Sequence, residues 1–154
     1  MALVYLGLGT NLGNKEQHLN NAILKLSSEV GILVFQSAFY SSVPWGFDSE
    51  NEFLNAVVLL ETYLSPFDLL AKTQDIELKM GRTVKPTTDY SDRLIDIDIL
   101  LYDSLIITEP TLKIPHPLML ERDFVLKPLM EIAPDLVYPI SGKKVKDIVA
   151  ENKV

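Results

Sequence analysis

The chain contains no cysteine. Disulfide staples, thiolate metal sites and thiol redox chemistry are excluded, so stability has to come from a packed core. Basic residues are also in short supply: 14 Lys and Arg stand against 21 Asp and Glu, a formal net charge of −7. A general nucleic-acid binder, or a protein that lies on anionic membrane, needs a basic face that this balance does not favour. An anionic substrate would have to be held locally, by metal or by a few placed Arg and Lys side chains. No apolar run reaches the ~18 residues of a membrane span. No basic segment of the kind that opens a signal peptide precedes the first apolar stretch, so a cytoplasmic location is expected. Internal repeats, linkers and low-complexity stretches are missing too. With 154 residues, 47% of them hydrophobic and 23% charged, the composition fits one globular domain over residues 1–154, expected to be a monomer.

What is present is concentrated in residues 93–102, Arg-Leu-Ile-Asp-Ile-Asp-Ile-Leu-Leu-Tyr. Branched apolar residues dominate, which predicts a buried β-strand. Alternation places Ile95, Ile97 and Ile99 on a core face, and turns Asp96 and Asp98 together to the other, roughly 7 Å apart along the strand. Two like charges this close in an apolar strand are costly unless cations neutralise them. Paired carboxylates suit Mg²⁺, and two such ions suit a nucleoside triphosphate. A half-exposed strand with two solvated acids is the plainer alternative.

Around that stretch the chain alternates strands and helices. Residues 3–9 predict a first strand. Its run Gly7-x-Gly9-x-x-x-Gly13 has neither the dinucleotide-binding spacing nor a Walker A ending, so packing is favoured for the glycines. Asn14 is a fitting N-cap for a helix that buries Leu19, Ala22, Ile23 and Leu26. Residues 31–40 predict a second strand, 41–50 a loop with Pro44, Trp45, Gly46 and Phe47, and 52–62 a third strand. Asn55 breaks the third strand's apolar pattern, and is either tied to nearby backbone or offered to a ligand. Ser65, Pro66 and Asp68 start a second helix with Leu69, Thr73, Ile76 and Met80 inward, and Gly81 ends it. Gln74 and Glu77 read as a solvated flank of that helix. The polar stretch 82–92 is long for a structureless loop, which usually means function or mobility. A small hairpin around Glu109 and Pro110 follows, then His116 pinned between Pro115 and Pro117, open between a structural and a site role. A helix over 122–133 buries Phe124, Leu129 and Ile132, and a short one covers 145–150.

The order β-α-β-β-α-β followed by a helical appendix predicts an α+β fold of the ferredoxin-like, split βαβ type. Two helices would cover one face of an antiparallel sheet. The opposite face would be open and lined by Asp96 and Asp98.

Several segments together resemble the 6-hydroxymethyl-7,8-dihydropterin pyrophosphokinase family over essentially the whole chain. They are Gly7-Leu8-Gly9-Thr10-Asn11-Leu12-Gly13, Ser42-Val43-Pro44-Trp45-Gly46, Phe53-Leu54-Asn55, Glu77 with Gly81-Arg82, and Arg93-x-x-Asp96-x-Asp98-x-Leu100. Ile114-Pro115-His116-Pro117, Arg122-Asp123-Phe124 and Pro128-Leu129-x-Glu131-Ile132-Ala133-Pro134 complete the set. The resemblance implies transfer of the terminal pyrophosphoryl group of ATP to the hydroxymethyl group of the pterin, releasing AMP, in folate biosynthesis. It implies that Asp96 and Asp98 hold two Mg²⁺ ions, with Arg82 and Arg93 beside them in catalysis. Arg82, Arg93, Lys113, His116 and Arg122 would contact the phosphates of ATP or support those contacts, and Gln74, Glu77 and Ile99 its nucleoside. Phe53 and Phe124 would sandwich the pterin, Asn55 would pair with its amide edge, Asp96 would border it, and Ser42, Val43, Pro44 and Trp45 would offer backbone groups.

The chain departs from the family's pattern over residues 83–92, where Lys85 is the one basic residue and Tyr90 the one aromatic. Thr111 stands where an arginine is common, and Phe53 where a tyrosine is frequent. Two rival readings remain. A different two-metal nucleotidyl- or phosphotransferase would share the acids but not the pterin wall. A non-catalytic ligand-binding regulatory module would not need the acids at all.

Overall fold

The computed structural model describes residues 1–43, 52–81 and 94–152. Its central strands are β1 (Ala2–Thr10) and β4 (Phe53–Thr62), paired antiparallel from Ala2 against Thr62 to Thr10 against Leu54. β2 (Gly31–Gln36) and the short β3 (Tyr40–Ser42) both pair with β4, and β5 (Asp96–Tyr102) pairs with the other side of β1. The resulting order, β2-β4-β1-β5, is antiparallel throughout. Helix α1 (Lys15–Glu29) carries the chain from β1 to β2, and α2 (Pro66–Lys79) from β4 to β5. Each crossing skips one strand, the interleaving that a split βαβ pair requires.

The local signals for both helices operate as the sequence suggests. Asn14 accepts the Gln17 N–H at 3.2 Å and Ser65 accepts the Asp68 N–H at 3.2 Å, satisfying donors that the first turn leaves over. Gly81, at φ 103°, supplies the left-handed residue past the end of α2. α1 and α2 lie on one face of the sheet. There Leu19, Ala22 and Leu26 from α1 and Leu69 and Ile76 from α2 pack on Val4, Leu6, Leu8, Ile95, Ile97 and Ile99. The isoleucine side of β5 therefore belongs to this core.

The second face is not open along its length, contrary to expectation. After the hairpin of β6 (Ile107–Glu109) and β7 (Leu112–Ile114) and a 3-10 turn (Met119–Glu121), α3 (Asp123–Ile132) and α4 (Val145–Asn152) fold back over one end of it. Val125, Leu129, Val145 and Ile148 form a second core with Tyr5, Val57, Leu59, Leu100 and Leu101. The apolar stripe of the appendix needs a partner, and this is the sheet face the first two helices leave available. Phe124 and Ile132 are half-buried at its rim, while Val125, Leu126 and Leu129 take the interior.

Two further boundaries differ. The apolar run 31–40 is not one strand: it stops at Gln36 and resumes at Tyr40, so Ser41 and Ser42 are strand rather than loop. The ladder slips between Leu33 and Phe35, and at Ser37 the side-chain hydroxyl, not a carbonyl, accepts the Val57 N–H at 2.9 Å. A hydroxyl substituting for backbone ends regular pairing there. β5 also begins at Asp96, later than the apolar run suggests.

Candidate active site

The site is built where the second face lacks side chains. In the ladders of β1, Gly9 stands between Asn55 on β4 and Asp96 on β5, and Gly7 stands between Val57 and Asp98. Because Ile95, Ile97 and Ile99 point into the α1/α2 core, alternation turns both carboxylates to this opposite face. An amide and two acids thus flank a strip of bare backbone. The glycine motif, weighed above for packing, forms that strip. A Cβ on Gly9 would stand 3.1 Å from Asn55 Oδ1 and 3.5 Å from Phe53 Cδ1.

On the β4 side, Asn55 is 2% exposed and its amide nitrogen is committed. It donates to the Tyr40 carbonyl at 3.1 Å and to Ser42 Oγ at 2.7 Å. With both protons used, the amide cannot turn over, and its acceptor Oδ1 is the atom presented toward Gly9. Ser42 and Phe53 are half-buried and Val43 is exposed.

On the β5 side a cleft of about 390 Å³ opens, lined among others by Gln74, Glu77, Asp96, Asp98, His116 and Arg122. That volume lies within the range of small-ligand sites. Glu77 is not on a solvated flank. It is 4% exposed, and its carboxylate accepts the backbone N–H of Ile97 at 2.8 Å. Among the described residues β5 is an edge strand, so this N–H has no strand partner on that side, and the α2 carboxylate takes the place of one. Gln74 is exposed at the cleft wall. Leu70 and Thr73 share that wall. The spacing 70, 73, 74, 77 is one helix face, a signal the inward stripe of α2 obscured.

Arg122, immediately before α3, is 6% exposed, and its Nη1 lies 3.4 Å from Asp98 Oδ2. Its guanidinium also sits 5.5 Å from the centre of the Phe124 ring, within cation–π range. His116 Nε2 is 3.9 Å from Asp98 Oδ1. The His116 backbone N–H donates to Leu100 O at 3.0 Å, and its Nδ1 accepts the Leu118 N–H at 3.2 Å. Burial, aided by the nearby Arg122 charge and opposed by Asp96, lowers the imidazole pKa from 6.5 to about 4. The ring is neutral at pH 7, and because Nδ1 accepts, its proton is on Nε2 and faces the acids.

Of the other expected site residues, Ile99 is buried in the α1/α2 core and Lys113 is exposed on β7, its ammonium 3.5 Å from Glu109 O. Neither is among the residues lining the cleft. Pro44, Trp45, Arg82 and Arg93, with the 83–92 segment, lie outside the described residues. Among the described residues no cluster holds three or more metal-ligating side chains.

This geometry pairs an acid-lined cleft with a flat, amide-edged floor. A family model for 7,8-dihydro-6-hydroxymethylpterin-pyrophosphokinase (HPPK) matches residues 5–134. The chain belongs to this family. It is 49% identical over 136 residues to the 2-amino-4-hydroxy-6-hydroxymethyldihydropteridine pyrophosphokinase of Porphyromonas gingivalis, covering 87% of this chain and 92% of that one. The protein of the same name from Aquifex aeolicus is 42% identical over 152 residues, covering 99% and 93%. Among solved structures, a Plasmodium falciparum HPPK-DHPS chain matches with a TM-score of 0.79 at 15% identity, covering 98% of this chain. The match spans 44% of the Plasmodium chain, and at that identity it speaks for the fold alone.

Proposed function

We propose that the chain transfers the terminal pyrophosphoryl group of ATP to the hydroxymethyl oxygen of 6-hydroxymethyl-7,8-dihydropterin in folate biosynthesis, releasing AMP. The observation that carries this reading is the placement of Asp96 and Asp98 between the cleft and the glycine strip. Each substrate then has its own side of one acid pair. The hydroxymethyl oxygen bonds to the β-phosphorus, the bond between that phosphorus and the α-phosphate oxygen breaks with its electrons on AMP, and the hydroxyl proton is released. Such a transfer is mostly positioning and charge neutralisation.

Mg²⁺ fits the donor set, since it is commonly held by one or two carboxylates with substrate phosphates completing its shell. Asp96 and Asp98 would hold two such ions, which supply positive charge to the phosphate oxygens when bound. The chain's own donors do the rest. Arg122 and the Nε2–H of His116 face Asp98 and would donate to phosphates held beside it. Arg82, Arg93 and Lys113 would add further positive charge, Arg in the bidentate form that suits phosphate. Gln74 and Glu77, which line the cleft, would border the nucleoside. Phe53 and Phe124 would stack on the pterin, Asn55 Oδ1 would accept a ring N–H, and Ser42 through Trp45 would edge the ring. The same reading has a cytoplasmic monomer acting on small molecules alone.

Product analysis tests it. With ATP, Mg²⁺ and the pterin, AMP is expected in step with a diphosphorylated pterin. ADP or free pyrophosphate would instead mean a different two-metal transferase. Pterin binding without any turnover would mean a regulatory module.

A further inference from the structure

Glu131 belongs to a motif that the reaction described above does not use. It lies in the last turn of α3, and its carboxylate accepts two different donors from the β2–β3 joint. The Tyr40 hydroxyl donates to Oε1 at 2.5 Å, and the Ala38 N–H reaches both oxygens at 3.1 Å. Ala38 sits in the gap where strand pairing lapses, so its N–H has no ladder carbonyl and the α3 carboxylate replaces one. The neighbouring carboxylate, chiefly through this hydrogen bond, raises the Tyr40 phenol above its ordinary value, so the hydroxyl remains a donor.

Tyr40 is also the residue that orients Asn55. The two are direct cross-strand partners, and the Tyr40 carbonyl takes one of the two Asn55 amide protons. Ser42, two residues on, takes the other. At the opposite end of the same helix stand Arg122 and Phe124. Phe124 and Glu131 are seven residues apart, two helical turns, hence on one face and about 10 Å apart along the axis. One carboxylate therefore couples the helix that carries Phe124 to the strand that fixes the amide.

Resting on the functional reading above, we propose that Glu131 is a positioning residue for the pterin: through Tyr40 it holds the Asn55 amide and the Phe124 end of α3 in one arrangement. It touches no reacting atom. Its contribution belongs to pterin binding, not to ATP binding or to the transfer step.

Glu131→Gln and Tyr40→Phe test this, with the double variant. Each single variant is expected to raise the KM for the pterin about tenfold, as loss of one well-placed hydrogen bond would. The KM for ATP and kcat at saturating pterin should stay within about twofold, and the double variant should be no worse than the poorer single one. In ¹⁵N-labelled protein without ligand, the Asn55 side-chain amide protons should exchange with solvent several-fold faster in both variants. A fall in melting temperature with pterin KM and Asn55 exchange unchanged would make Glu131 a structural staple and overturn the proposal. If the wild-type chain neither binds nor converts the pterin, the functional reading falls instead. The Asn55 exchange rates then still decide whether Glu131 orients that side chain.

Discussion

The Glu77 carboxylate on α2 accepts the N–H of Ile97, the residue between the two aspartates of β5, at 2.8 Å. This bond fastens the middle of an edge strand to the helix that walls the cleft. Glu77→Ala leaves that N–H buried without its acceptor, a cost of about 1–3 kcal/mol. Glu77→Gln keeps an acceptor and should lose less than half as much. Denaturant titration of both variants measures the difference. Equal losses would mean that the bond is not what stabilises β5.

The two glycines of the strip respond differently to a methyl group. On Gly9 it would crowd Asn55 Oδ1 at 3.1 Å, whereas on Gly7 it would meet Leu100 at 3.5 Å and above, ordinary contact. Gly9→Ala should keep the fold and weaken pterin binding about tenfold or more, since the methyl occupies the floor. Gly7→Ala should change stability by less than about 1 kcal/mol, because alanine suits a strand interior at least as well as glycine. Pterin titration calorimetry beside thermal melts separates the two effects.

Asp98 should matter to stability as well as to turnover. It compensates the buried Arg122 guanidinium at 3.4 Å. Asp98→Asn should therefore cost the ligand-free chain about 1 kcal/mol. Turnover should fall by orders of magnitude in both Asp96→Asn and Asp98→Asn. Thermal melts without Mg²⁺, alongside product assays with it, check each half of the expectation.

Acid should act through His116. Its folded pKa, about 4, lies below its ordinary 6.5. Between those values the unfolded chain binds the proton more readily, so stability falls as pH drops through that window. The whole loss from this group is at most about 3 kcal/mol. His116→Gln, which does not titrate, should flatten the pH dependence of stability between 6.5 and 4 in ligand-free protein. A slope unchanged by the substitution would assign the effect to other groups.

What the sequence makes legible here is whatever is encoded locally. The isoleucine–aspartate alternation of 95–99 gives the two faces of β5, and Ser65-Pro66 and Gly81 give the limits of α2, because each depends on neighbours in the chain. Glu77 looks like a surface residue because helical periodicity cannot know that an edge-strand N–H waits 20 residues downstream. The run 31–40 hides its break for the same reason: the Ser37 hydroxyl ends regular pairing by contacting Val57, far away in sequence. Tyr40 and Glu131 meet across 91 residues, and neither carries a local sign of the other. The cover over the second face is not legible in the sequence because the stripe of α3 tells that it is buried but not against what.

The register shift in β5 limits the size of whatever lies on the strip. It falls where Tyr5 and Leu6 of β1 face Leu101 and Ile99, leaving Leu100 as the additional residue. Leu100 and Leu101 both join the core under α3, while Tyr102 returns to the other core and donates its hydroxyl to Leu64 O at 2.6 Å. The Leu100 side chain stands over Gly7, and its carbonyl holds the His116 N–H. One surplus residue thus closes the strip at its Gly7 end and docks the histidine beside it. The recess is a slot with a fixed stop, and a planar ligand elongated past Gly9 toward Gly7 would meet a branched wall instead of open backbone.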